Sequence, residues 1–217
     1  MKKYDIIAFD LDGTLSNPER GLVAGFQYAF DKMGIEYGTK ESLKRFIGPP
    51  LFDEWKKCFG LSDEICAETL RIFREYYDVY GWRENELYKG VKEMLAELKT
   101  AGKILLIATS KPEKVANKVL HFFDIAKYFD FISTATIDKK RDKKREVLVY
   151  ALSSVPGCDK SKCLMVGDRV FDAVGAKEVG IDSMGVLYGH GSREEIESSG
   201  FNYVVENVSD ISKLILS

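Results

Sequence analysis

Asp10 and Asp12 stand one residue apart at the close of an apolar run, Ile6-Ile7-Ala8-Phe9, and Gly13 and Thr14 follow them. A short continuous apolar run is the pattern of a buried parallel strand. Alternation along a strand turns residues i and i+2 to the same side. Two carboxylates so placed repel each other, and both ionise only against a cation or a shared proton. A hard divalent ion meets that demand. Gly13 opens a backbone path that a Cβ would resist, and Thr14 adds a hydroxyl beside the turn. Asp-Leu-Asp-Gly is also ordinary strand-exit composition, so chemistry requires partners elsewhere in the chain.

Such partners follow later apolar runs. Thr109 and Ser110 come directly after Lys103 to Ala108, and Val166-Gly167-Asp168-Arg169 closes another run with Asp172 four residues beyond Asp168. Ligands of an open α/β sheet bind beyond the carboxyl ends of its strands. Asp10, Asp12, Asp168 and Asp172 are therefore expected on one edge. Oxygen ligands of this kind suit magnesium, which keeps several waters and is often shared with a substrate phosphate. Asp172 is equally suited to cap the helix that begins there. The run Asp138-Lys139-Lys140-Arg141-Asp142-Lys143-Lys144-Arg145-Glu146 reads for the most part as a solvated loop and helix start. It lacks the interleaved aromatics of a nucleic-acid surface. A single lysine reaching back from it would stabilise both a carboxylate nucleophile and a phosphoryl oxygen.

The elements that must position these residues alternate. Strands are expected at Tyr4 to Phe9, Lys103 to Ala108, Phe129 to Thr134, Cys163 to Val166, Ile181 to Val186 and Tyr203 to Val205, separated by helical patterns. One helix runs from Val91 to Ala101 with Met94, Leu95 and Leu98 inward, another carries Val115, Val119 and Phe122, and a third carries Val147, Leu148, Ala151 and Leu152. Ser192 and Glu195 have the spacing of a capping box. From Arg20 to about Tyr80 the spacing is helical throughout, with Leu22, Phe26, Phe30 and Met33, then Ile65, Leu70, Phe73 and Tyr77, as apolar stripes. Gly34, Gly38, Gly48-Pro49-Pro50 and Gly60 break that segment into short helices, as in a small helical domain inserted after the first strand.

At 217 residues and 45% hydrophobic content the chain can bury a sizeable core, and a formal charge of -2 offers no global attraction to nucleic acid or anionic membrane. Two histidines make a histidine-rich metal site a poor expectation, and Cys58, Cys66, Cys158 and Cys163 lack C-x-x-C spacing, so they read as reduced packing residues. No signal-peptide core or membrane-length apolar run is present, which points to the cytoplasm.

Asp10-Leu11-Asp12-Gly13-Thr14, Thr109, Lys144 and Gly167-Asp168-Arg169 with Asp172 resemble, in order, the four motifs of the haloacid dehalogenase superfamily. Within it the chain is similar to phosphoglycolate phosphatase-like and 5'-nucleotidase-like hydrolases with a helical cap. The resemblance implies a Rossmann-like doubly wound parallel sheet core at 1–16 and 86–217, and a helical cap at 17–85. It implies a magnesium-dependent phosphomonoesterase in which Asp10 attacks phosphorus while Asp12 protonates the leaving oxygen and then activates water. Thr109 and the Ser110 amide would bind the phosphoryl group with Gly13 nearby, and Lys144 would neutralise charge near Asp10. Magnesium would be held by Asp10, the Asp12 carbonyl and Asp168, with Asp172 in support. Lys144 is chosen over Lys143 because it opens the helix. Arg169 stands where serine or threonine is common and adds a local positive charge. Arg20, Lys44, Arg45 and the Ile47-Gly48-Pro49-Pro50 loop, Arg45 and Gly48 foremost, are the cap positions expected to face substrate. The implied partner is a small phosphate ester, with no nucleic acid or membrane, and the chain is expected to be a monomer or weak homodimer. A sugar phosphomutase would keep the same core residues, and a non-catalytic receiver module also gathers acids, a hydroxyl and a lysine at strand ends.

Overall fold

The fold is given by a computed structural model that describes residues 3–48, 50–136 and 140–217. The chain divides into two compact units, Met1–Ser16 with Leu87–Ser217, and Asn17–Glu86. The two-residue strands β2 (Ser16–Asn17) and β3 (Glu86–Leu87) mark where the chain leaves the first unit and returns to it.

The first unit holds a sheet of six strands, β1 (Ile6–Phe9), β4 (Ile104–Pro112), β5 (Phe131–Ala135), β6 (Cys163–Gly167), β7 (Asp182–Val186) and β8 (Tyr203–Val205). Their order is β5-β4-β1-β6-β7-β8 and each neighbouring pair is parallel. β1 therefore lies inside the sheet, and the direction in which strands are added reverses there. That reversal is the switch point at which open α/β sheets bind ligands. Register sharpens the effect. Phe9 is level with Ile107 of β4 and Val166 of β6, so Asp10, Ala108-Thr109 and Gly167-Asp168 follow at one height.

Alternation divides the buried strand residues between two faces. Ile6, Ala8, Leu106, Ala108, Cys163 and Met165 pack with Val147, Leu148, Ala151 and Leu152 of α7 (Lys144–Ser153) and with Ala176 and Val179 of α8 (Val170–Val179). Ile7, Phe9, Leu105, Ile107, Leu164 and Val166 fill the opposite face and are fully buried. Helix α5 (Val91–Thr100) packs on β4 and on α10 (Val208–Leu216), and α6 (Glu113–Phe122) also packs on β4. Helices on both faces make this the doubly wound α/β class.

Several boundaries differ from the sequence reading. β1 begins at Ile6 rather than at Tyr4, whose hydroxyl donates to Asp182 Oδ2 at 2.5 Å. β5 begins at Phe131 because Ala126–Tyr128 form a 3-10 turn. β4 continues through Thr109 to Pro112, with a shift in register between those two residues. On α6 Val115 and Val119 are buried, but Phe122, in the last turn, is 54% exposed. The four cysteines are free, with Cys158 Sγ 3.5 Å from Cys163 Sγ.

The second unit is built from α1 (Glu19–Met33), α2 (Lys40–Leu43), α3 (Leu51–Phe59) and α4 (Asp63–Tyr77). Its core is aromatic, with Phe30 and Trp55 ring centroids 4.9 Å apart and Phe26 and Phe73 5.2 Å apart. Gly25 lets α1 and α4 close up, since a Cβ there would lie 2.8 Å from the Phe73 ring. The inward stripe of α4 is Cys66, Thr69, Ile72, Phe73 and Tyr77. Of the expected stripe Phe73 and Tyr77 are inward, whereas Ile65 is exposed and Leu70 half-buried, with Cys66 and Thr69 buried beside them. Among the described residues no helix is long and apolar enough to cross a membrane.

Leu106 is fully buried on the face that packs with α7 and α8. Leu106→Ala is expected to cost about 2–5 kcal/mol of unfolding free energy, read from the urea midpoint at unchanged m-value.

Candidate active site

Asp10 is the first residue past β1, and its N–H donates to Val166 O of β6 at 2.9 Å, which fixes the exit of the strand. Lys144 opens α7, and its Nζ lies 2.9 Å from Asp10 Oδ1 and 2.8 Å from Asp172 Oδ1 and donates to Ala108 O at 2.9 Å. The lysine stem runs over Gly175 of α8, where a Cβ would lie 2.8 Å from Lys144 Cγ. Lys144 is buried and Lys143 is exposed, so the structure brings Lys144 to the acids and leaves Lys143 in solvent.

Asp168 follows β6 and is fully buried. Its Oδ1 accepts from Thr14 Oγ1 at 3.2 Å and its Oδ2 from His190 N–H at 2.8 Å. Asp172 lies in the first turn of α8, where its Oδ2 accepts the Arg169 N–H at 3.1 Å while Oδ1 faces Lys144. Asp172 thus serves the start of α8 with one oxygen and faces Lys144 with the other. Asp10, Asp168 and Asp172 each present an oxygen, and all three atoms lie within 4.8 Å of one another.

Charge in this cluster is unbalanced. Burial pushes the Asp168 carboxyl well above the usual range, and Asp172 and Asp10 push it further. Burial likewise raises Asp172, to about 6, against the pull of the Lys144 ammonium. For Lys144 burial favours the neutral amine, but Asp10 and Asp172 outweigh it and keep the ammonium charged beyond its usual range. When ionised, three carboxylates against one ammonium leave two negative charges, which an oxygen-seeking divalent cation would offset. The donor set and its charge therefore fit a metal ion.

The Asp12 side chain takes a different partner. Its Oδ2 lies 2.6 Å from Lys111 Nζ, with the two side chains 20% and 4% exposed respectively. Asp12 Oδ1 is buried without a hydrogen-bond partner among the described residues. The local signal for Lys111 is its place directly after the two hydroxyl residues that follow an apolar run. Thr109 is 2% exposed and its Oγ1 accepts the Lys111 N–H at 3.2 Å, whereas Ser110 is exposed. Gly13 has φ +84°, and a Cβ on it would lie 2.0 Å from Asp168 Oδ2.

Other expected residues have structural engagements. Arg169 Nε donates to Glu195 Oε1 at 2.9 Å, so its charge is paired. Ser192 Oγ accepts the Glu195 N–H at 3.0 Å, but the Glu195 carboxylate turns to Arg169 and Val170, so the expected capping box is only half made. In the second unit Arg45 is exposed with its guanidinium 4.7 Å from the centre of the Phe46 ring. Lys44 pairs with Glu19 at 2.8 Å and Arg20 with Glu84 at 3.5 Å. Gly48 is exposed with φ +105°. Pro49, and Asp138 and Lys139 of the basic run, lie outside the described residues.

Residues 7–186 match the haloacid dehalogenase-like hydrolase family, and the chain belongs to that family. It is a hydrolase. Among curated proteins it is 35% identical over 196 residues to a 5'-nucleotidase of Pseudomonas aeruginosa, covering 90% of this chain and 88% of that one. It is also 35% identical over 209 residues to the tyrosine-protein kinase PtkA of Mycobacterium tuberculosis, covering 96% of this chain and 70% of the relative. A crystal structure described as a predicted phosphatase from Clostridium acetobutylicum superposes with a TM-score of 0.93 at 35% identity, covering 99% of both chains.

Two substitutions test the geometry. Gly13→Ala forces a Cβ into the Asp168 carboxylate at a positive φ, and is expected to abolish hydrolysis and lower unfolding free energy by about 1–3 kcal/mol in chemical denaturation. Lys144→Met strands the buried carboxylates and is expected to cost about 3–5 kcal/mol when measured without added metal.

Proposed function

We propose that the chain is a magnesium-dependent phosphomonoesterase that acts on a small phosphorylated metabolite through an aspartyl-phosphate intermediate. The observation that carries this reading is the setting of Asp10, which faces the Lys144 ammonium at 2.9 Å and shares an oxygen cluster with Asp168 and Asp172. A carboxylate beside fixed positive charge is suited to attack phosphorus. Phosphoryl transfer asks mainly for positioning and for charge on the equatorial oxygens.

Asp10 Oδ forms a bond to phosphorus as the ester oxygen departs, and Asp12 gives that oxygen its proton. Asp12, now a base, takes a proton from water as the water oxygen attacks the phosphorus of the aspartyl-phosphate and frees Asp10. Lys111, 2.6 Å from Asp12 Oδ2, orients the carboxylate through this exchange. Thr109 and the Ser110 amide hold the phosphoryl oxygens. Magnesium, bound by Asp10, Asp168 and Asp172 with the Asp12 carbonyl, would supply further positive charge to those oxygens.

The names of the relatives cover a nucleotidase and a tyrosine kinase, so membership of the family does not select the substrate. We place selection in the second unit, with Arg45 and the loop at Gly48 as its candidate residues, and take nucleoside monophosphates and phosphoglycolate as the first substrates to assay. Four free thiols suit a reducing, cytoplasmic setting, with the chain as a monomer or weak homodimer.

Asp10→Asn is expected to lower magnesium-dependent release of phosphate from an aryl phosphate by at least about 10³-fold, with the fold retained by circular dichroism. Full activity in that variant contradicts the mechanism.

A further inference from the structure

Asp168 is enclosed by a second segment of chain that motif reading does not reach, Tyr188-Gly189-His190-Gly191-Ser192, which leads into the short helix α9 (Arg193–Ser198). His190 donates its backbone N–H to Asp168 Oδ2 at 2.8 Å. The approach is close enough to require glycine on both sides. A Cβ on Gly189 would lie 2.3 Å from Asp168 Cβ, and one on Gly191 would lie 2.2 Å from Asp168 O.

Three residues further on, the same segment returns to the other side of Asp168. Glu195 Oε1 accepts the Val170 N–H at 2.9 Å and the Arg169 Nε–H at 2.9 Å. Val170 is the first residue of α8, and its N–H has no acceptor within the helix. A carboxylate at that end is favoured by hydrogen bonding and by the helix dipole. Here the carboxylate comes from a different helix, so satisfying α8 also fixes where α8 begins relative to α9. Residues 168–170 and 190–195 are tied at both ends. Asp172 leaves the same turn, with its Oδ2 on the Arg169 N–H at 3.1 Å.

We propose that Glu195, acting through Arg169 and Val170, is a positioning residue that together with the Gly189-His190-Gly191 turn clasps Asp168 and Asp172 in the arrangement that takes the metal. Glu195 touches no reacting atom and acts by fixing the carboxylates. Groups that orient metal ligands typically change affinity 10–100-fold when removed. The clasp rests on the metal-binding role given to Asp168 and Asp172 above.

The test is magnesium affinity of the full chain by isothermal titration calorimetry, with thermal unfolding and far-ultraviolet circular dichroism alongside. Glu195→Ala is expected to raise the magnesium Kd about tenfold or more, and Glu195→Gln, which keeps an acceptor oxygen, to stay within about threefold of wild type. Glu195→Ala binding magnesium like wild type, or changing only the melting temperature, overturns the clasp. So does Glu195→Gln binding as weakly as Glu195→Ala. If Glu195→Ala does not fold, Arg169→Ala retains the Val170 bond and is expected to raise the Kd by about threefold to tenfold, and an unchanged Kd there is contrary. Failure of the wild-type chain to bind magnesium would instead overturn the metal site itself.

Discussion

The ammonium of Lys144, buried between Asp10 and Asp172 at 2.9 and 2.8 Å, is the interaction on which the rest of the site depends. Carboxylates crowded out of solvent would protonate or separate without a cation among them. A single lysine balances only part of their charge. The remainder makes the cluster receptive to a divalent ion. The same imbalance explains why Asp12, two residues away, needs its own partner in Lys111. Two separate lysine–aspartate pairings give the neighbouring acids different surroundings.

The sheet supplies the coincidence in space. Asp10 leaves β1, Thr109 leaves the regular part of β4 and Asp168 leaves β6, three adjacent strands in level register. α7 then brings Lys144 back over β4, and α8 carries Asp172. Close packing of α7 on α8 at Gly175 sets the height of the lysine. Core packing and chemistry are linked here, because the residues that bury the sheet face also aim the charged ones.

What the sequence revealed follows from the range of the interactions involved. The doubly wound sheet is legible because its strands are continuous apolar runs and its helices carry periodic stripes, both local patterns. The positions of Asp10 and Asp168 just past their strands, of Thr109 after the apolar run of β4 and of Asp172 in the following helical turn follow from the same patterns. The partner of a charged side chain is not a local property. Lys111 meets Asp12 across 99 residues, and Glu195 meets Arg169 across 26, so neither pairing leaves a periodic trace. The Ser192–Glu195 spacing predicted a complete capping box, but a distant helix N-terminus competed for the carboxylate. On α4 the apolar pattern points to Phe73 and Tyr77 correctly but not to Cys66 and Thr69, whose small or polar side chains carry little hydrophobic signal.

The direct test of the account is the fate of the phosphoryl group. In a single turnover with a ³²P-labelled aryl phosphate, quenched in acid and digested, the label is predicted on the peptide that contains Asp10. Turnover without labelled protein, or label on a peptide containing Asp168 instead, would contradict the assignment of Asp10 as the nucleophile.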